Sequence, residues 1–293
     1  MTITIRTVGA AMLCTTFLAA CGGGGGGGGS SSSSTSLSGT FSDSAVSGLT
    51  YVINGVSAKT DATGKFNYKS GDTITFKVGD IVLGSGVGKP FMSPVTLVGG
   101  ASDETNTTVT NIAKFLQTVD DDNNTSNGIQ LTTAIHTAAI GRSITFTQST
   151  AGYDGDVAVT NAYTALTGAS AAGVRAGVND ATARAHLRST LFTAMAGTYS
   201  GSYTGSANGT FTFTVDNTGT ITSGSISNTG GAAISGNVGS GGGFTSSNAG
   251  SLSGSLVTVG FTGTVSAGTA TVSGTWSVTG SGYNLSGSFS GQK

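Results

Sequence analysis

The stretch Asp120-Asp121-Asp122-Asn123-Asn124-Thr125-Ser126-Asn127-Gly128 is the densest run of oxygen ligands in this 293-residue chain. Asp120, Asp122, Asn124 and Ser126 fall at alternate positions, the spacing at which calcium loops offer side-chain oxygens to a hard cation. Three consecutive carboxylates behind a helix repel one another and oppose the negative end of its dipole, and a bound cation would relieve both costs. Two positions depart from the pattern. Thr125 stands sixth, where the loop needs glycine, and Leu131 stands twelfth, where a bidentate glutamate belongs. Two readings stay open: a weak calcium site completed from elsewhere, or an acidic turn that ends a helix.

Other reactive types are sparse. His136 and His186 are the only histidines. No Gly-x-Ser-x-Gly elbow occurs, and the two histidines lack the spacing of a zinc protease. His186, within Arg184-Ala185-His186-Leu187-Arg188, reads as a solvated or interfacial helix side chain. Asp154 with Asp156 and Asp103 with Glu104 carry no mark of a glycosidase pair. Gly84 to Pro90 fails as a phosphate loop, because Leu83 replaces its first glycine and Pro90 the hydroxyl that would meet magnesium. A non-enzymatic protein is the expectation. Trp276, Tyr283 and Phe261 belong to an aromatic set in the last third of the chain. They read as core, or as the wall of an interior that holds a small apolar ligand.

The N-terminus speaks to location. An apolar run from Val8 to Ala20 follows a start whose only charge is Arg6, the layout of a secretory signal, and it is too short to span a bilayer. Leu18-Ala19-Ala20-Cys21 resembles the lipobox of bacterial lipoproteins. That resemblance implies cleavage before Cys21, lipidation of Cys21, and anchoring to a membrane through it. Gly22 after the cysteine, in place of aspartate, then implies the outer membrane. Cys14 would leave with the signal, so no intramolecular disulfide is expected. Residues 21–36, almost all glycine and serine, read as a flexible tether.

The remaining chain divides into 37–100, 101–196 and 197–293. The first part alternates and turns: Leu49 to Ile53 precede the hairpin signal Asn54-Gly55, and Thr73 to Val78 alternate cleanly. A small β-sandwich is predicted. Lys59-Thr60-Asp61-Ala62-Thr63-Gly64-Lys65-Phe66 resembles the T-D-x-x-G-x-F hairpin of carboxypeptidase-regulatory-like, transthyretin-like modules, accessory domains of secreted bacterial proteins. The second part is a helical connector. Val109, Ile112, Ala113, Leu116 and Val119 share one helix face. Residues 129–139 and 157–166 are weaker helices, and Asn179 to Ala196 is a stronger one, with Leu187, Leu191 and Met195 stacked and Gly197 as its stop.

The last part repeats apolar, Ser or Thr, Gly, any, apolar six times, from Tyr199-Ser200-Gly201-Ser202-Tyr203 to Leu285-Ser286-Gly287-Ser288-Phe289. Both apolar residues and the glycine share one strand face, and the other face is Ser and Thr. An antiparallel meander or soluble barrel of about eight strands is predicted, with apolar residues inside, the reverse of an outer-membrane barrel. The fold is therefore mainly β, α+β overall. Net charge is −1, and Asp216 and Lys293 are the only charged side chains after Gly197, so no basic stripe exists for nucleic acid. The expected role is adhesion, matrix attachment or scaffolding, with a surface polymer or another envelope protein as partner. Carriage of a small apolar ligand is the alternative.

Overall fold

Asn54-Gly55 turns the chain as its sequence demands. Both residues have positive φ, 49° and 79°, and join β3 (Thr50–Ile53) to β4 (Val56–Lys59). The computed structural model describes residues 35–228 and 232–293. Before that hairpin lie β1 (Leu37–Phe41) and β2 (Val46–Ser47). After it come β5 (Lys65–Tyr68), β6 (Thr73–Val78), β7 (Ile81–Val87) and β8 (Phe91–Met92). Asp61 ties the turn before β5, its Oδ1 accepting from the N–H groups of Thr63 and Lys65 at 2.8 and 3.0 Å.

Sheets β4-β3-β6-β7 and β5-β1-β8 face each other. Their inner side chains meet as rings, Phe41 on Phe76 at 4.5 Å and Phe66 on Phe76 at 5.5 Å.

The helical part comprises α1 (Thr107–Thr118), α2 (Thr133–Ala138), α3 (Thr150–Gly155), α4 (Val157–Gly168) and α5 (Asp180–Met195). Asn106 and Asn179 cap α1 and α5 by accepting from backbone N–H groups of the first turn. The helix expected over 129–139 is shorter. Ile129–Gln130 forms β9, parallel to β2, and Asp120 Oδ1 accepts the Gln130 N–H, so the helix starts only after Thr132. α5 ends ahead of Gly197 as expected: Ala196 is its C-cap, and Gly197, at φ 143°, turns the chain into the next strand.

The connector is not separate from the sandwich. Phe41, Ile74 and Phe76 share one core with Ile112, Phe115, Leu116, Tyr153 and Leu166. A second core fills the C-terminal part and takes in Val109 and Ala113 of α1 with Leu187, Leu191 and Met195 of α5. α1 therefore serves both cores, which is why its polar residues Thr110, Asn111, Lys114, Gln117 and Thr118 are buried as well.

The C-terminal strands are β10 (Gly197–Gly205), β11 (Gly209–Val215), β12 (Thr220–Ile226), β13 (Gly236–Asn237), β14 (Gly243–Leu252), β15 (Ser255–Ser266), β16 (Thr271–Gly280) and β17 (Tyr283–Gln292). They form one antiparallel sheet in the order β13-β12-β11-β10-β17-β16-β15-β14. The Val238–Phe244 bridge brings its two ends together, so the barrel is nearly closed. Inward positions are apolar: Tyr199, Phe211, Phe213, Phe244, Phe261, Trp276 and Phe289 are all buried. Glycine makes room for these rings. A Cβ on Gly291 would stand 2.9 Å from the Phe211 ring, and one on Gly263 2.6 Å from that of Phe289. Among the described residues no helix is long and apolar enough to cross a membrane.

Candidate functional site

The tight turn between β1 and β2 places Asp43 and Ser44 against α5. Asp43 is wholly buried. Its Oδ2 accepts from Gln117 Nε2 at 3.0 Å, and the same nitrogen donates to the Ala183 carbonyl, so one glutamine of α1 ties this turn to α5. Its Oδ1 has no hydrogen-bond partner and lies 3.9 Å from His186 Nε2. Burial pushes the Asp43 carboxyl up to about 7, against the pull of Gln117.

Ser44 occupies the left-handed region, φ 59°. Its Oγ donates to the Thr125 carbonyl at 2.8 Å and lies 2.9 Å from His186 Nε2, which also stands 3.3 Å from the Asp43 carbonyl, and its N–H donates to Thr190 Oγ1 at 3.0 Å. His186 Nδ1 is 3.4 Å from Thr125 Oγ1. Burial holds the imidazole below its ordinary pKa, so it is neutral at pH 7. These groups border a cleft of about 600 Å³ that Thr40, Ser42, Phe91, Ser126 and Thr193 also line.

His186 was expected at an interface or in solvent, and it sits at an interface. Asp43 and Ser44 were not read from the sequence. Ser44 and His186 are 142 residues apart, and no local motif joins them. The one trace was a Ser-Asp-Ser turn.

His136 takes a structural place. Its Nδ1 accepts from the Gly79 N–H at 3.0 Å and its Nε2 donates to the Gly48 carbonyl at 2.8 Å, which fixes a neutral tautomer. Burial lowers its pKa.

The Asp120 loop is closed by its own backbone. Asp120 Oδ2 accepts from the Asn124 N–H and Oδ1 from the Gln130 N–H, each at 2.8 Å. Asp122 accepts from the Asn124 N–H at 3.0 Å and from Asn127 Nδ2 at 2.7 Å, and Asn124 Oδ1 accepts from Ser126 Oγ at 2.5 Å. Where calcium was expected, Arg175 brings a positive charge. Its guanidinium donates to the carbonyls of Thr118 and Asp120 at the end of α1, beside all three carboxylates. Among the described residues no group of three His, Cys, Asp or Glu converges on a point that could hold a metal.

Phe261 and Trp276 face each other across β15 and β16 in the barrel interior, whereas Tyr283 is half-buried where β17 begins. Trp276 Nε1 donates to the Thr204 carbonyl at 2.9 Å, and the Tyr203 ring meets it edge-on at 5.2 Å. Ring contacts run on from Phe261 to Phe289 at 5.0 Å and from Phe289 to Phe211 at 5.3 Å. These rings pack against one another along the barrel interior, where a ligand was expected. Cys21 and the signal residues 1–20 lie outside the described residues.

No family model, curated protein or solved structure matches the chain.

Proposed function

We propose that the protein is a lipid-anchored envelope protein, held through Cys21, whose barrel acts in adhesion, matrix attachment or scaffolding. The outer face of the barrel carries this reading. Cross-strand register lines up hydroxyls in rows, Thr262-Thr275-Ser288-Thr204 and Thr264-Ser273-Ser290-Ser202-Thr210. Strand geometry spaces these hydroxyls by about 4.8 Å across the sheet and about 6.8 Å along it. Asp216 is the only charged side chain from Gly197 to Gln292. Such a lattice offers donors and acceptors without Coulomb attraction or repulsion, which suits a neutral surface polymer better than an ionic one.

Ring-on-ring packing inside the barrel favours this reading over carriage of an apolar ligand. The deciding experiment has two arms. Cys21→Ser should move the protein from the membrane fraction to the soluble one. Thr262→Asp, Thr275→Asp and Ser288→Asp together should cut attachment of intact cells to their own matrix at least tenfold. Unchanged attachment in the triple variant, with unchanged amounts of protein on the membrane, would overturn the reading.

A further inference from the structure

Ser44 holds a left-handed backbone conformation, φ 59°, that residues other than glycine seldom adopt. Its hydroxyl is what the turn gains in return. The oxygen is in reach of the His186 imidazole at 2.9 Å, and both groups line the 600 Å³ cleft. A strained serine, a histidine within hydrogen-bond distance and an open space beside both are the elements of a nucleophilic site.

We propose that Ser44 is a nucleophile with His186 as its general base, and that the cleft takes small uncharged esters and passes their acyl group to water. The Ser44 hydroxyl, which donates to the Thr125 carbonyl at rest, turns to His186 Nε2, and its oxygen bonds to the ester carbonyl carbon as the proton passes to that nitrogen. The bond to the leaving alcohol then breaks, and that alcohol takes the proton from Nε2. Water repeats the sequence on the acyl-serine, releasing the carboxylic acid and restoring the Ser44 hydroxyl. The imidazolium formed midway faces Asp43 Oδ1 at 3.9 Å, a buried oxygen with no other partner. Thr125 Oγ1 holds Nδ1 on the far side of the ring. Ser42, on the same turn, also lines the cleft.

The substrate class follows from the walls. Thr40, Ser42, Phe91, Ser126, Ser189, Thr190 and Thr193 bring hydroxyls and one ring but no ionised group. A charged acyl chain would lose its hydration there without gaining a partner.

The arrangement differs from the familiar triad in one respect that sets its speed. The carboxylate lies on the Nε2 side, and a hydroxyl holds Nδ1. Acylation by activated reagents is therefore the sensitive measure, and turnover should be slow. The experiment exposes the purified chain to a fluorophosphonate and to p-nitrophenyl acetate. Mass spectrometry should place the phosphonyl adduct on Ser44, and Ser44→Ala should abolish it. His186→Gln should slow labelling by about 10²- to 10⁴-fold, the usual worth of a general base. Thr193→Val, in the same cleft, should be labelled like wild type.

Should His186→Gln fail to fold, the pH profile of the wild-type rate decides. It should rise through the imidazole pKa, below the ordinary value, and then level off. No adduct at Ser44 under conditions that saturate a control serine esterase overturns the proposal, and so does a rate independent of pH. Cys21→Ser should be labelled normally, so this test and that of membrane attachment fail separately.

Discussion

Phe289 lies directly across the sheet from Gly274, and a Cβ on Gly274 would stand 2.2 Å from the Thr262 carbonyl oxygen, 2.5 Å from Gly263 Cα and 2.8 Å from Phe289 Cε1, so neighbouring backbone and ring both close on the bare position. Gly274 has an ordinary strand conformation, so packing alone excludes a side chain. The cost of Gly274→Ala is that of overpacking, about 1–3 kcal/mol. At this chain length that should lower Tm by several degrees. Gly243, in β14, has open space around its Cβ position. Gly243→Ala should leave Tm unchanged or raise it slightly. Equal effects of the two substitutions in thermal melts would remove the ring-seat account of the repeat.

That pairing explains why the barrel was legible in the sequence. Parity put Gly274 and Trp276 on one face of a strand, and six copies of the pattern repeated the arrangement. The N-terminal hairpin was legible for a similar reason, since Asn54-Gly55 specifies its turn locally. What stayed hidden depends on distant partners. Gln117 of α1 is buried only because the β1–β2 turn and α5 meet over it, its amide bonding Asp43 and the Ala183 carbonyl. The 129–139 segment has helical residues, yet β2 claims Ile129 and Gln130 through a pairing across more than eighty residues. The Ser44 site is of this second kind, because only the docking of α5 on the β1–β2 turn brings its groups together.

The Asp120 loop predicts an absence of metal response. Its carboxylates already accept from backbone N–H groups, and Arg175 supplies the positive charge that a helix C-terminus and three acids call for. Tm should be the same in millimolar calcium and in chelator. Asp120→Asn should destabilise by about 1–2 kcal/mol, because one amide NH₂ would then face a backbone N–H it cannot accept from. Arg175→Met should destabilise as well. A calcium-dependent rise in Tm that Asp120→Asn removes would restore the metal site.

Trp276 reports on the interior. With Nε1 bonded to the Thr204 carbonyl and the ring buried, its emission should lie to the blue of solvated tryptophan. Titration with fatty acids or phospholipids should leave it unchanged, because rings already occupy the core. A saturable shift would show that the barrel opens and would revive the carrier reading.

Asp43 predicts how stability depends on pH. Burial pushes its carboxyl up to about 7 in the folded chain, against an ordinary value of 3.8 in the unfolded one. Between these values the folded state keeps a proton that the unfolded state has lost, so stability falls as pH rises through the window. The contribution is fully present below pH 3.8 and gone above about 7. Asp43→Asn keeps an oxygen for Gln117 and removes the buried charge. Its Tm should therefore gain on wild type as pH rises from 4 to 8, with most of the gain by pH 7. His136 and His186 act in the opposite sense: both are held below their ordinary pKa, so each costs stability as pH falls through the imidazole range. Comparing Asp43→Asn with wild type at each pH cancels the His136 contribution and isolates the Asp43–His186 contact. A constant Tm difference from pH 4 to pH 8 would mean that Asp43 titrates as an ordinary carboxyl, and that its Oδ1 is not the isolated buried oxygen facing His186.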